Sequence, residues 1–327
     1  MMEMKEKSIN YFNNTIMPLI RERYPDIFDE MSFYIHGSVG LGIDDEFSDV
    51  EACIHIPDEL WKKRGGYLQI DLDKCLAETN LWKQGGSIIC VHPLSWLYSS
   101  DIEKIISGEV DIPWSELSFE SLFNMQNDPI WHDPKDRYGK LCRMTTPDKM
   151  PEILWKKALL EKLSTFFGGM HEIRRCVDRR HYLDAYIPLG ETVKALLEIG
   201  FMVCRQYYPF RKHLTWAFNR LPSPILSLNS SFDFLSVSQN WHERLSIMET
   251  IYNFYRDYII STSILPELDF SRVNLVEMTL HENEFHNARN ILDNPNFLIE
   301  IATKKEKAVR LGFSPDVFMW VDWWGLE

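Results

Sequence analysis

The stretch Phe33-Tyr-Ile-His-Gly-Ser-Val-Gly-Leu-Gly-Ile-Asp-Asp-Glu-Phe-Ser-Asp-Val-Glu-Ala-Cys-Ile-His-Ile56 decides how the rest of the chain is read. Phe33, Tyr34 and Ile35 form a β-prone run that stops at Gly37-Ser38. A second run starts at Asp49 and continues to Ile56, where Pro57 closes it. The pattern predicts strand, turn, strand. Asp49 and Glu51 stand two apart on the second strand, so both face the same way. Paired carboxylates on a rigid strand offer hard oxygen ligands to a divalent metal. Gly37 lets a ligand approach the backbone closely, and Ser38 offers a hydroxyl donor to a phosphate oxygen. These parts point to a site for Mg²⁺ and a nucleoside triphosphate. A plain hairpin with an exposed polar face is the other reading of the same residues.

The glycines in Gly37-Ser-Val-Gly-Leu-Gly42 follow G-x-x-G-x-G, not the G-x-G-x-x-G of a dinucleotide fold. They run into Asp44-Asp45-Glu46, which reads as a solvated turn, and not into a long helix.

The order apolar-Gly-Ser, about ten residues, then Asp-apolar-Glu-apolar resembles the signature of the DNA-polymerase-β-like nucleotidyltransferase superfamily. Asp-x-Glu in place of Asp-x-Asp is similar to some antibiotic nucleotidyltransferases. The resemblance implies that Gly37 and Ser38 bind phosphate and that Asp49 and Glu51 carry the metal. It also implies a third carboxylate on a nearby strand. The run Ser87-Ile-Ile-Cys-Val-His92 has none; Cys90 and His92 stand where one is sought. Glu109, in Gly108-Glu-Val-Asp-Ile112, resembles the residue that carries the catalytic base in a lincosamide nucleotidyltransferase, and Asp71 is the second candidate. Residues 152–222 resemble the helical domain of a group of uncharacterised bacterial nucleotidyltransferases. Tyr208-Pro-Phe-Arg-Lys212 matches its Tyr-Pro-x-x-Lys element, with His213 replacing the usual aromatic. By that match Lys212, with Tyr208, would contact the nucleotide; solvated cations at a helix start are the other reading.

A length of 327 residues suits two domains, 1–145 and 146–327. The 45% apolar fraction lets each bury a core. A formal charge of −13 argues against a large nucleic-acid partner, because such binding relies on phosphate neutralisation. It suits a cationic small acceptor such as an aminoglycoside. Six widely spaced cysteines without C-x-x-C read as reduced, mostly buried thiols of a cytoplasmic protein. The first residues lack an apolar signal region, and no apolar run nears the ~20 residues of a membrane span. The oligomeric state is left open.

Along the chain, Ile9, Phe12, Ile16, Leu19 and Ile20 predict a helix over 3–24, ended by Pro25. A short helix from Asp58 is expected to stop at Gly65-Gly66, and residues 67–72 fit strand or helix. A helix through Leu81-Trp82, a strand over 87–92, a helix over 94–107, another over 115–126 and a short strand near 129–134 follow. Residues 145–151 read as a linker. Beyond it, helices are expected over 152–181, 184–206, 211–221, 239–261 and about 273–292, a helical bundle. The fold class is therefore α/β (α+β): a nucleotidyltransferase domain with a small mixed sheet, followed by an all-α domain. The Arg174, Arg175, Arg179 and Arg180 cluster reads as a phosphate-facing or solvated helix face. His281 and His286 are too far apart in helical phase for a zinc-protease motif. The aromatic segment 318–324 is expected to dock on the body or on a partner.

The function expected from the resemblance is Mg²⁺-dependent transfer of a nucleoside monophosphate, AMP from ATP, to a hydroxyl of an aminoglycoside- or lincosamide-like acceptor. Asp49 and Glu51 would hold the metal and Glu109 would deprotonate the acceptor. The rivals are an antitoxin-like protein AMP-transferase and a non-catalytic nucleotide-binding protein that lacks the third carboxylate.

Overall fold

The computed structural model describes residues 4–45, 48–78, 88–96 and 102–270. The chain divides into two units. One holds Met1–Leu117 with Ser121–Thr146; the other holds Ser118–Glu120 and the chain from Pro147 onward.

In the first unit, α1 (Met4–Tyr11), a π turn over Phe12–Ile16 and α2 (Met17–Arg23) form one helical run. Phe12, Ile16 and Ile20, four apart, are wholly buried along it. Pro25 both stops this run and begins α3 (Pro25–Phe28), because its fixed φ suits a first helical position. Then come β1 (Ser32–His36), α4 (Gly37–Leu41), β2 (Glu51–Ile56), α5 (Asp58–Leu60) with a π turn over Trp61–Gly65, α6 (Gly66–Ala77) and β3 (Ile88–Pro93). They are followed by α7 (Ile102–Ser107), α8 (Phe119–Asn127), whose first two residues belong to the other unit, β4 (Ile130–His132) and α9 (Arg137–Met144).

The sheet is four-stranded and mixed, in the order β3-β2-β1-β4. β1 runs antiparallel to β2 and β4, and β2 runs parallel to β3. Side chains alternate across a strand, so the register fixes two faces. Phe33, Ile35, Ala52, Ile54, Ile89 and Val91 join Phe12, Ile16, Leu68 and Leu72 in one core. Tyr34, His36, Glu51, Cys53, His55, Cys90 and His92 are left to the other face.

Several local expectations change. The turn after β1 is a five-residue helix, ended by Gly42 in the left-handed region. Gly65-Gly66 does not stop the helix there. A Cβ on Gly65 would come within 2.6 Å of the Trp61 ring, so the glycine seats an indole whose Nε1 donates to the Val91 carbonyl at 3.1 Å. Residues 67–72 are helical because Leu68, Leu72 and Leu76 bury one face of α6. The six cysteines are free, as expected, but half-buried instead of buried.

In the second unit, α10 (Glu152–Asp178) and α11 (Tyr182–Val203) form a long hairpin. A 3₁₀ turn over Arg211–His213 leads into α12 (Leu214–Phe218), then α13 (Asn229–Val237) and α14 (Trp241–Thr262). α10 buries Trp155, Leu159, Leu163, Phe166, Met170, Ile173 and Val177 along one stripe. α14 starts at Asn240, whose side-chain oxygen accepts from the His242 and Glu243 amides. Glu198 of α11 is buried but paired, 2.8 Å from the Lys162 ammonium and 3.4 Å from that of Lys194. The expected helices through Leu81-Trp82 and over 273–292, the His281/His286 pair and the 318–324 segment lie outside the described residues. No described helix is long and apolar enough to cross a membrane.

Candidate functional site

The polar face of the sheet is set by three strands. His36 ends β1 and its register partner is Glu51, the first residue of β2. Asp49 lies two residues ahead of Glu51, just before the strand and not on it; buried Val50 separates the two. Asp49 and Glu51 are both half-buried.

Gly37 begins α4 with a φ of +69°, a conformation that disfavours any residue with a Cβ. A Cβ there would come within 2.7 Å of Glu51 Oε2. The Gly-Ser segment and the acidic strand are thus in van der Waals contact, with Ser38 half-buried beside them. Gly40, one turn on, is pressed against the Ile35 carbonyl, 2.6 Å from where a Cβ would sit. The preceding loop is closed by its own side chains: Ser48 Oγ donates to Asp45 Oδ1 and accepts from the Asp45 amide, both at 2.9 Å.

Beneath Glu51 the face carries a cluster that sequence reasoning did not assemble. Asp128, whose side chain is wholly buried just ahead of β4, forms an ion pair with His36 Nδ1. Burial works against a charge on His36, but hydrogen bonds to Asp128 and Cys53 outweigh it and lift the imidazole to about 10. Burial likewise pushes the Asp128 carboxyl up, with His36 pulling it down. Burial would raise the Cys53 thiol, yet hydrogen bonds with His36, His55 and His92 hold it at about 4. His55 is kept neutral mainly by burial. Its Nδ1 lies 3.4 Å from the Pro93 carbonyl, so that nitrogen carries the proton, and Nε2 accepts from the Tyr34 hydroxyl at 2.7 Å. Tyr34 stacks on Tyr138 at 4.0 Å between centroids. The signal available in the sequence was the alternation of Tyr34 with His36, and of Glu51 with Cys53 and His55.

The remaining predicted residues have other partners. Glu109 is exposed on the turn after α7, where it accepts from the Ser107 hydroxyl at 3.1 Å. Asp71 is on α6, bonded to Tyr24 and Arg23 at 3.0 and 3.1 Å, a helix-packing contact. Tyr208 and Lys212 belong to the second unit. Tyr208 is buried and stacked on Phe119, 5.1 Å between centroids, with the Lys162 ammonium 5.7 Å from its ring. Lys212 is exposed on the 3₁₀ turn before α12.

Among the described residues no three His, Cys, Asp or Glu side chains are grouped so as to hold a metal ion. The donor set of Asp49 and Glu51 fits Mg²⁺, which takes one or two carboxylates and completes its shell with substrate phosphates and water.

A family described as "Domain of unknown function (DUF4037)" matches residues 114–216. No curated protein matches the chain. A crystal structure described as a nucleotidyltransferase-like protein from Exiguobacterium sibiricum is similar over 78% of this chain and 81% of its own, at 14% identity and a TM-score of 0.37.

Proposed function

We propose that this chain is a Mg²⁺-dependent nucleotidyltransferase that moves a nucleoside monophosphate, AMP from ATP, onto a hydroxyl of a small acceptor of the aminoglycoside or lincosamide kind. The observation that carries the reading is the contact of Gly37, at φ +69°, with the Glu51 carboxylate. A Gly-Ser segment suited to phosphate thereby meets Glu51, one carboxylate of the pair proposed for a hard cation. Asp49 and Glu51 would hold Mg²⁺, which when bound neutralises charge as pyrophosphate departs. The bare backbone at Gly37 and the Ser38 hydroxyl would orient the phosphates. Glu109 is the residue proposed to take the acceptor proton.

A second reading, a nucleotide-binding protein without turnover, is favoured by one observation: the described part of β3 offers Cys90 and His92 to the polar face and no carboxylate.

The test is pyrophosphate release from each of the four ribonucleotides with Mg²⁺, against aminoglycosides, lincosamides and cell lysate. Release that depends on a small acceptor and disappears in Asp49→Ala supports the transferase. Release that depends on a protein in the lysate moves the acceptor class to protein. Binding without release supports the second reading.

A further inference from the structure

Two cysteines of the polar face take no part in the proposed reaction. Cys53 is the third residue of β2 and Cys90 the third of β3. The two strands run parallel, and Cys53 and Cys90 are register partners. Partners in register point to one side of a sheet, so both thiols stand on the face that carries His36, His55 and His92. Paired strands lie about 4.7–4.9 Å apart. That spacing is within the roughly 4.4–6.8 Å between Cα atoms that a disulfide bridges. Neither strand has to shift for the two sulfurs to meet.

The juxtaposition is held from both sides of β3. β2 supplies the backbone ladder on one side. On the other, the Gln69 amide donates to the Ile89 carbonyl and its oxygen accepts from the Val91 amide, both at 2.8 Å, so it brackets Cys90. The Trp61 indole adds a bond to the Val91 carbonyl at 3.1 Å. A slip of one residue would turn Cys90 to the opposite face, and these bonds oppose it. Both thiols are free and half-buried, open to a small oxidant. Hydrogen bonds from His36, His55 and His92 converge on the Cys53 sulfur. The remaining cysteines, Cys75, Cys142, Cys176 and Cys204, lie on helices or at a helix end and have no such register partner.

We propose that Cys53 and Cys90 are a site of oxidative modification, a thiol pair that a hydroperoxide converts into a reversible disulfide joining β2 to β3. In the first step the Cys53 sulfur attacks one peroxide oxygen and the O–O bond breaks. The proton held between the sulfur and its imidazole neighbours goes to the departing oxygen, which leaves as water, and Cys53 becomes a sulfenic acid. In the second step the Cys90 sulfur attacks the Cys53 sulfur, the S–O bond breaks, and the hydroxyl leaves with the Cys90 proton as a second water. Two thiols are oxidised and one peroxide is reduced. A dithiol returns both cysteines to the free state. Neither nucleotide nor Mg²⁺ enters these steps, so the pair is tested apart from the transferase.

The experiment treats the reduced full chain with hydrogen peroxide, blocks the remaining thiols and maps the digest by mass spectrometry without reductant. The expected result is a Cys53 peptide joined to a Cys90 peptide, lighter by the two thiol hydrogens, ahead of oxidation at the other four cysteines. Dithiothreitol should abolish the link. In Cys90→Ser the link should be lost and dimedone should label Cys53, where the sulfenic acid has no thiol to meet. Oxidation spread evenly over the six cysteines overturns the proposal. So does a link from Cys53 to Cys142 or between two copies, or the absence of any link up to the dose that abolishes the circular dichroism of the folded chain.

Discussion

Gly37 joins the two halves of the proposed site, and its replacement separates folding from chemistry. In Gly37→Ala the positive φ should cost about 1–2 kcal/mol. The new methyl meets only the end of the Glu51 side chain, which can swing aside. The expected outcome is a modest fall in thermal stability with a much larger loss of pyrophosphate release. Glu51→Gln added to it should do little more, since both remove the same carboxylate position; full additivity of the two would disconnect them. Gly40→Ala is the contrast. Its Cβ meets the Ile35 carbonyl of β1, which cannot swing, so unfolding experiments should show a loss of about 1–3 kcal/mol. Gly37, Ser38 and Glu51 were legible in the sequence because they are close along the chain and their spacing is a motif. Asp128 was not, because its partner His36 is brought to it only when β4 pairs with β1.

At the scale of the sheet, the alternation of side chains made both faces legible in principle. The apolar face could be read from Phe33, Ile35, Ile54, Ile89 and Val91 alone. The polar face could not be assembled, because register between strands is set by packing that no single strand records. That register places two histidines in opposite states. His36 is lifted to about 10, above the 6.5 of an unfolded histidine, so its contribution is full below 6.5 and is lost as pH rises toward 10. His55 is depressed below 6.5, so folding excludes a proton that the unfolded chain binds, and stability falls as pH drops below 6.5. Cys53, held at about 4, opposes His36: the unfolded thiol keeps its proton up to about 9, so between 6.5 and 9 the two slopes cancel. Stability followed by thermal unfolding should therefore rise from acid pH to about 6.5, run nearly level to about 9 and fall toward 10. His55→Gln should lessen the acid limb, and Cys53→Ser should tilt the level stretch downward by exposing the His36 slope. Variants that shift the whole curve without changing its shape would show that these groups do not set it.

For the whole molecule, a net charge of −13 bears on the binding of a polyanionic nucleotide. An acidic surface repels free ATP, so affinity should rest on a divalent cation and on a few local donors. A ligand that binds only the folded state at a concentration a hundred times its Kd adds about 2.7 kcal/mol of stability. For a unit of this size that is roughly a 5–10 °C rise in Tm. ATP with Mg²⁺ should produce such a rise, ATP with a chelator far less, and Asp49→Ala should remove the Mg²⁺-dependent part. The size of the shift reports binding and says nothing of turnover, so it is compared with pyrophosphate release on the same sample. A Tm rise accompanied by acceptor-dependent release is the outcome expected of the transferase. The same rise without release, for every acceptor tried, would leave the carboxylate pair and the Gly-Ser segment as a binding site and assign the missing chemistry to the face that presents Cys90 and His92. A rise that survives in Asp49→Ala together with Glu51→Ala would take the nucleotide away from this sheet altogether.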